Sequence, residues 1–354
     1  MNAKDRNIKI ANTPVGHGHP CYIIANISST HGGSFDNAMQ LLREAIAAGA
    51  GAVKMQAYDP ERITLDSMEQ CFRINENNRW KARNLYELFK KSHTPWDWLP
   101  RLQREAESLG LDFFCTSFDE SAVDFLEELE VPAHKVSSYE LSDLPFLRRV
   151  GSTGKPVLLS TGMASLQEID EAIKTLRDSG TQDIIPLKCT SAYPAPPQAM
   201  NLVTIPHLKD AFQLPVGLSD HSLGLAAPVV AVTLGACLVE KHLILSRSQA
   251  TPESEIALEP REFGAMVWSV RQAEQSLGQV QYGLNEYQQT GLAFRRSLFV
   301  VQDMKKGQSF CPSNCQSIRP GCGLPPRFMP LIFGRQAASD IKRGTPLSMD
   351  LVTW

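Results

Sequence analysis

Eight short apolar runs recur along this chain, and each gives way to a polar or charged residue near its C-terminal end. They cover 22–25, 52–55, 111–115, 133–136, 157–159, 184–187, 216–218 and 237–239. Continuous apolar runs of this length suit strands buried on both faces. Between most of them the spacing changes to that of amphipathic helices. Ser34 is placed to cap a helix whose apolar face is Ala38, Leu41, Leu42, Ala45 and Ile46. Ser165 and Glu168 make a capping-box pattern ahead of Ile169, Ala172, Ile173 and Leu176, and Ala122, Phe125, Leu126 and Leu129 form a third stripe. Strand and helix alternating eight times predict an α/β fold, a closed parallel (β/α)8 barrel of the TIM type.

Two stretches stand outside the alternation. Residues 59–98 form a long insertion with a helix expected around 85–91, and loops of that length over a barrel mouth usually cover a substrate. After a helix around 263–277, a polar linker over 283–292 leads to a small strand-and-turn segment. The expected division is a barrel domain over 1–282, the linker, and a C-terminal domain over 293–354. At roughly 60 residues the last has a marginal core by itself and is expected to lean on the barrel or on a second subunit.

Bulk properties narrow the functional classes. Of the 354 residues, 43% are hydrophobic and 21% charged, as in an ordinary globular protein. The formal net charge of -3 gives no support for a nucleic-acid surface. No apolar stretch reaches the ~18 residues a membrane helix needs. The opening Met1-Asn-Ala-Lys-Asp-Arg6 leads into no apolar signal core, which predicts a cytoplasmic protein. Cys115, Cys189 and Cys237 lie in or beside apolar runs and read as small core residues. Cys311, Cys315 and Cys322 cluster, but at a spacing that matches no common zinc pattern.

The polar residues at the run ends carry the chemistry, because active sites of this fold sit at the C-terminal ends of its strands. They are Asn26, Lys54 with Gln56, Thr116, Lys135 with Ser138, Ser160, Thr190 with Tyr193, Ser219 with His221, and Glu240 with His242. Two lysines among hydroxyls suit a phosphate or carboxylate; structural ion pairs and a Schiff-base lysine are the other readings. His221 and His242, on consecutive strand ends with Glu240 and Asp220 nearby, suit a shared divalent cation, whereas either alone would read as a satisfied core histidine. His31, in Thr30-His-Gly-Gly33, is placed on the first loop to orient a substrate. A phosphorylated acid and a metal-activated carbonyl in one barrel point to carbon–carbon bond formation.

Six motifs then resemble the sialic acid (nonulosonic acid) synthase family in order and spacing. They are Lys54-Met-Gln56, Lys135-Val-Ser-Ser138, Ser160-Thr-Gly-Met163, Lys188-Cys-Thr-Ser-Ala-Tyr-Pro194, Gly217-Leu-Ser-Asp-His221 and Glu240-Lys-His242. The tail, from Arg296-Ser-Leu298 through Ile318-Arg-Pro-Gly321, is similar to the antifreeze-like (SAF) domain of these synthases. Tyr58-Asp-Pro60, Leu85-Tyr-Glu-Leu-Phe89, Thr94-Pro-Trp96 and Ile318-Arg-Pro-Gly-Cys-Gly-Leu324 resemble the pseudaminic branch more than the neuraminic or legionaminic ones.

The resemblance implies condensation of phosphoenolpyruvate with an open-chain amino sugar, a diacetamido-trideoxy-altrose in that branch. It implies Mn2+ or Mg2+ on His221 and His242, and a domain-swapped homodimer. Lys54, Thr116, Lys135, Ser138, Ser160 and Ser219 are the implied phosphoenolpyruvate end, with Gln56 a further substrate-binding residue, Ser191 beside the sugar or enolpyruvate and Arg319 of a second copy on the sugar's N-acetyl group. Asn26, His31, Tyr193, Glu240 and Glu253 are the implied catalytic set. Three positions depart from the family pattern: Asn26 stands for a usual Glu, Thr30 for Asn, and Glu253 for Asp. A legionaminic or neuraminic precursor as acceptor, a non-catalytic relative that binds ligand or a synthase partner, and a pyruvate aldolase remain open as alternatives.

Overall fold

The computed structural model describes residues 7–74, 82–249 and 251–354. The expectations drawn from the opening six residues and from 75–81, within the insertion, lie outside the described residues. The eight apolar runs become the strands β1 (Tyr22–Asn26), β2 (Ala52–Ala57), β3 (Asp112–Ser117), β4 (His134–Val136), β5 (Val157–Ser160), β6 (Ile184–Cys189), β7 (Gly217–Asp220) and β8 (Leu238–His242). Neighbours pair in parallel, and β8 closes the barrel on β1 through Leu238↔Tyr22 to His242↔Asn26. Every strand but β4 continues one to three residues past its apolar run. Ladder hydrogen bonds use only backbone groups, so pairing persists into the polar residues that hydrophobicity alone leaves out.

Helices follow the strands on the outside: α1 (Phe35–Ala47), α2 (Leu99–Ser108), α3 (Glu120–Glu128), α4 (Leu144–Gly151), α5 (Leu166–Ser179), α6 (Thr204–Phe212), α7 (Ala226–Thr233) and α8 (Pro260–Leu277). Ser34 caps α1 by accepting from Asn37 N, and the helix buries Ala38, Leu41, Leu42 and Ala45. Ser165 and Glu168 form the capping box of α5, which buries Ile169, Ala172, Ile173 and Leu176. A hairpin of Ile8–Ile10 and Thr13–Val15, which no alternation announced, adds Ile8, Ile10 and Val15 to this core. Its Thr13 donates to Asp112 Oδ2 at 3.2 Å, at the start of β3 and therefore at the N-terminal end of the barrel.

The chain forms two compact units, Met1–Gly278 and Gln279–Trp354. In the second, Ser297–Val300 pairs antiparallel with Cys315–Ile318, and Gln336–Ala337 with Val352–Thr353. Leu298, Val300, Met304, Phe310, Cys315 and Leu347 form its own small core. The stretch read as a plain polar linker carries a 3-10 helix, Glu286–Phe294, opened by a capping box of Asn285 and Gln288.

Successive residues of a strand face opposite sides, and β7 and β8 use this to separate two kinds of polar group. Ser219, Glu240 and His242 point into the barrel. Asp220 and Lys241 point outward, where Lys241 Nζ lies 2.6 Å from Asp220 Oδ2 with both side chains fully buried. The expectation that Asp220 stands beside a metal is therefore corrected: it accepts from Lys241 and from Ser222 N and ties β7 to β8 and to the loop that follows β7. Removing one partner of a buried pair leaves an uncompensated charge, so Asp220→Ala should lower unfolding free energy by about 3–5 kcal/mol. The double variant Asp220→Leu/Lys241→Met should recover most of that loss. Chemical denaturation of the three proteins checks this, and equal losses in single and double variants would refute it.

Candidate active site

The inward positions at the C-terminal rim line one cavity of about 530 Å³. From the strands come Asn26, Lys54, Gln56, Thr116, Lys135, Ser160, Cys189, Ser219, Glu240 and His242; from the loops just beyond come Ser138, Tyr193, His221 and Glu253. Register sets the neighbours: Asn26 lies between Lys54 and His242, Thr116 between Gln56 and Lys135, and Ser219 between Cys189 and Glu240.

One end of the cavity is built for an anion. Lys135 Nζ donates to Ser160 Oγ at 2.7 Å and to Val136 O at 2.8 Å. Lys54 Nζ lies 3.3 Å from Glu240 Oε1. Burial pulls the Lys135 ammonium down to about 8, against the opposing pull of Glu240 and with the help of Lys54. Burial would raise the Glu240 carboxyl, but Lys54, Lys135 and the two histidines hold it at about 2. Two ammonium groups thus share one carboxylate, which favours an incoming anion. Ser138 Oγ accepts from Gly162 N at 2.9 Å, and Gly162 is required there, since a Cβ would sit 2.7 Å from that oxygen and also meet Ser191 Oγ.

The other end fits a cation. His221 Nδ1 lies 3.2 Å from Thr190 O, a donor to that carbonyl, which leaves Nε2 as the nitrogen with a free lone pair. The His221 and His242 rings are 5.4 Å apart. His242 Nε2 has Asn26 Nδ2 at 2.9 Å and Glu253 Oε1 at 3.1 Å. A proton on Nε2 would satisfy the carboxylate and oppose the amide; a bare Nε2 does the reverse. Asn26 cannot turn over without cost, because its Oδ1 accepts from Ser28 N. A cation shared by Nε2 and a Glu253 oxygen would take the place of that proton, and the Asn26 amide then keeps its other acceptor, Glu240 Oε1 at 3.2 Å. Glu240 Oε2, buried and without a hydrogen-bond partner among the described residues, is a second acceptor facing the same charge. Among the described residues no three His, Cys, Asp or Glu side chains form a metal cage, so an ion here would complete its shell from substrate or water.

Glu253 is held by Ser28 Oγ, Ser29 N and Ser29 Oγ, all donating to Oε2. Burial would raise its pKa, but His242 and these donors keep it well below the usual carboxylate range. Burial pushes the Tyr193 phenol well up, so it remains a donor, with its ring centroid 4.5 Å from that of His221.

His31 is not among the cavity-lining residues. Its Nδ1 accepts from Gly33 N, its Nε2 lies 3.1 Å from Thr94 Oγ1, and burial lowers it to about 4. Ser191 stands behind Gly162, and Arg319 is an exposed residue of the second unit, following the strand Cys315–Ile318. The reading of Cys189 as packing alone is corrected: it is buried but lines the cavity, with Sγ 3.8 Å from His221 Nδ1. Its place two residues after inward Leu187 was the available signal. Tyr58 and Phe118, each just past a strand end, and Leu88 and Phe89 were also missed as lining residues; for the last two, a helix face turned toward a cavity has the same spacing as one turned toward a core.

The closed eight-strand parallel barrel with its polar C-terminal mouth defines a TIM-type barrel protein. The chain belongs to the NeuB family, which it matches over residues 41–282; residues 295–353 match the SAF domain. It is 39% identical over 326 residues to the pseudaminic acid synthase of Campylobacter jejuni, covering 92% of this chain and 95% of that one. It is 35% identical to the N,N'-diacetyllegionaminic acid synthase of Legionella pneumophila, covering 98% and 97%. The crystal structure of N-acetylneuraminic acid synthetase from Leptospira borgpetersenii, in complex with citrate, aligns with a TM-score of 0.71 at 29% identity, covering 81% and 95%. No helix of the described residues is long and apolar enough to cross a membrane.

Two outcomes follow from the anion end. Phosphoenolpyruvate affinity should hold below about pH 8 and fall above it, by up to about tenfold per pH unit, as Lys135 loses its proton. Calorimetric titration across that range checks it, and a flat profile would sink the assignment. Gly162→Ala should weaken phosphoenolpyruvate about tenfold by displacing Ser138; unchanged affinity would remove Ser138 from the anion end.

Proposed function

We propose that this chain condenses phosphoenolpyruvate with the open-chain form of 2,4-diacetamido-2,4,6-trideoxy-L-altrose to give pseudaminic acid and phosphate. The observation that carries the reading is the single cavity in which Lys54 and Lys135 face His221 and His242. The pseudaminic acid synthase of Campylobacter jejuni, similar over most of both chains, supports the choice of product.

In the reaction the enol C3 bonds to the aldehyde carbon, the aldehyde oxygen takes up a proton, water adds at C2, and phosphate leaves. Lys54, Lys135, Thr116, Ser138, Ser160 and Ser219 hold the phosphate and carboxylate of the donor, with Gln56 beside them. His221 and His242, with Glu253 and Glu240 alongside, would hold a divalent ion, Mn2+ or Mg2+, which when bound supplies Lewis-acid polarisation of the aldehyde. Tyr193 keeps its proton and donates to the acceptor; Ser191, packed against Gly162 next to Ser138, lies beside the enolpyruvate. Glu253, kept ionised, serves as base or water-orienting group. Asn26 anchors Glu240 and His242, and His31 fixes the first loop through Gly33 and Thr94. Arg319 of a second copy, in a domain-swapped homodimer, contacts the sugar's N-acetyl group. The work is cytoplasmic, where phosphoenolpyruvate is made.

A carboxylate next to His242 survives the exchange of the family's Glu for Asn26, since Glu253 supplies it at 3.1 Å. This favours a working enzyme over a binding-only relative. The test is phosphate release with mass spectrometry of the product, using phosphoenolpyruvate, divalent metal, and the altro, legionaminic-precursor and N-acetylmannosamine acceptors in parallel. The altro sugar should give pseudaminic acid and stoichiometric phosphate at the highest rate. A product made without phosphate release, or preference for another acceptor, would overturn the proposal. His221→Ala and His242→Ala should each weaken Mn2+ binding, read by calorimetry, and cut phosphate release about a thousandfold.

A further inference from the structure

The cavity has a second wall of a different chemistry. Ile63, Leu85, Leu88 and Phe89, from the segment between β2 and α2, turn into it together with Phe118 and Pro252. In the helix Leu85–Ser92 the lining positions are 85, 88, 89 and 92, one helical face, while Glu87, Lys90 and Lys91 take other positions. Asn84 caps this helix by accepting from Glu87 N. Tyr58, 2% exposed, ties it down: its hydroxyl donates to Phe89 O at 3.0 Å, and its ring meets Phe89 and Phe118 edge-on at 5.8 and 5.2 Å. The wall is thus fixed in place by hydrogen bonds and ring contacts.

The six apolar side chains offer no partner to a hydroxyl. Ser92 donates its own to Leu88 O at 2.8 Å, and Thr64 is the other polar residue of the helix-bearing segment on this wall. We infer that this wall selects the acceptor: it takes the C6 methyl of a 6-deoxy sugar together with an acetamido methyl, and rejects a C6 hydroxymethyl. The inference rests on the condensation proposed above and assigns its specificity to Ile63, Leu85, Leu88 and Phe89. A hydroxymethyl set against these six side chains gives up hydrogen bonds to water that they cannot replace, whereas a methyl gains burial.

The experiment compares kcat/KM of the full chain, with phosphoenolpyruvate and Mn2+, for the diacetamido-trideoxy-altrose and for the same sugar bearing a 6-hydroxyl. The deoxy acceptor should be preferred about a hundredfold. Leu88→Asn and Ile63→Asn, both at half-buried positions on separate segments, should each reduce that preference about tenfold through the sugar KM, with the phosphoenolpyruvate KM unmoved. Phosphate release at equal kcat/KM for the two acceptors, or a preference untouched in both variants, overturns the inference while leaving the condensation intact. No phosphate from any acceptor overturns the condensation reading and this inference with it.

Discussion

Glu240 is the group on which the site depends. Buried at the end of β8, it balances Lys54 directly and Lys135 across the mouth, and it accepts from Asn26, which also touches His242. A lone carboxylate there would be protonated by burial; the two ammonium groups and two imidazoles keep it charged. It therefore does two things at once. It prevents two neighbouring lysines from repelling each other out of the barrel, and it spaces the anion end from the imidazole end by about the reach of one side chain. Both ends hold reactants that must approach within bonding distance, so that spacing is a functional dimension as well as a structural one.

The barrel makes such a group tolerable through alternation. Residues 219, 240 and 242 face the mouth, while 220 and 241 form an ion pair in the strand–helix layer. One residue of register shift would exchange the two sets, putting Asp220 and Lys241 in the site and burying a histidine against helices. The outward pair thus helps fix the register that aims the inward set.

Departure from the family's residue pattern at Asn26 has a local counterpart. The amide gives up negative charge but gains the ability to donate to Glu240, and the longer Glu253, held by Ser28 and Ser29, brings a carboxylate to His242 from the loop after β8. One carboxylate of the family pattern is therefore lost from the strand, while the one on the loop stays against the imidazole.

Much of this was legible in the residues alone. Eight apolar runs alternating with amphipathic helical stripes determined a parallel barrel, because strands covered on both faces by helices repeat in that way; the same run ends named the lysines, serines and histidines of the mouth. Local signals determined the caps at Ser34 and at Ser165 with Glu168, since both partners lie within one turn. Tertiary structure alone decided which polar residues meet. Asp220 and Ser219 are equally polar neighbours, and pleat direction assigns one to a buried pair and the other to the cavity. His31 looks like a site residue until its ring nitrogens are seen to be taken by Gly33 and Thr94. The helix Leu85–Ser92 has the stripe of a core helix, and only the position of the barrel mouth turns that stripe into a wall for substrate. Composition and spacing fix what a segment must bury; what it is buried against depends on residues far away in the chain.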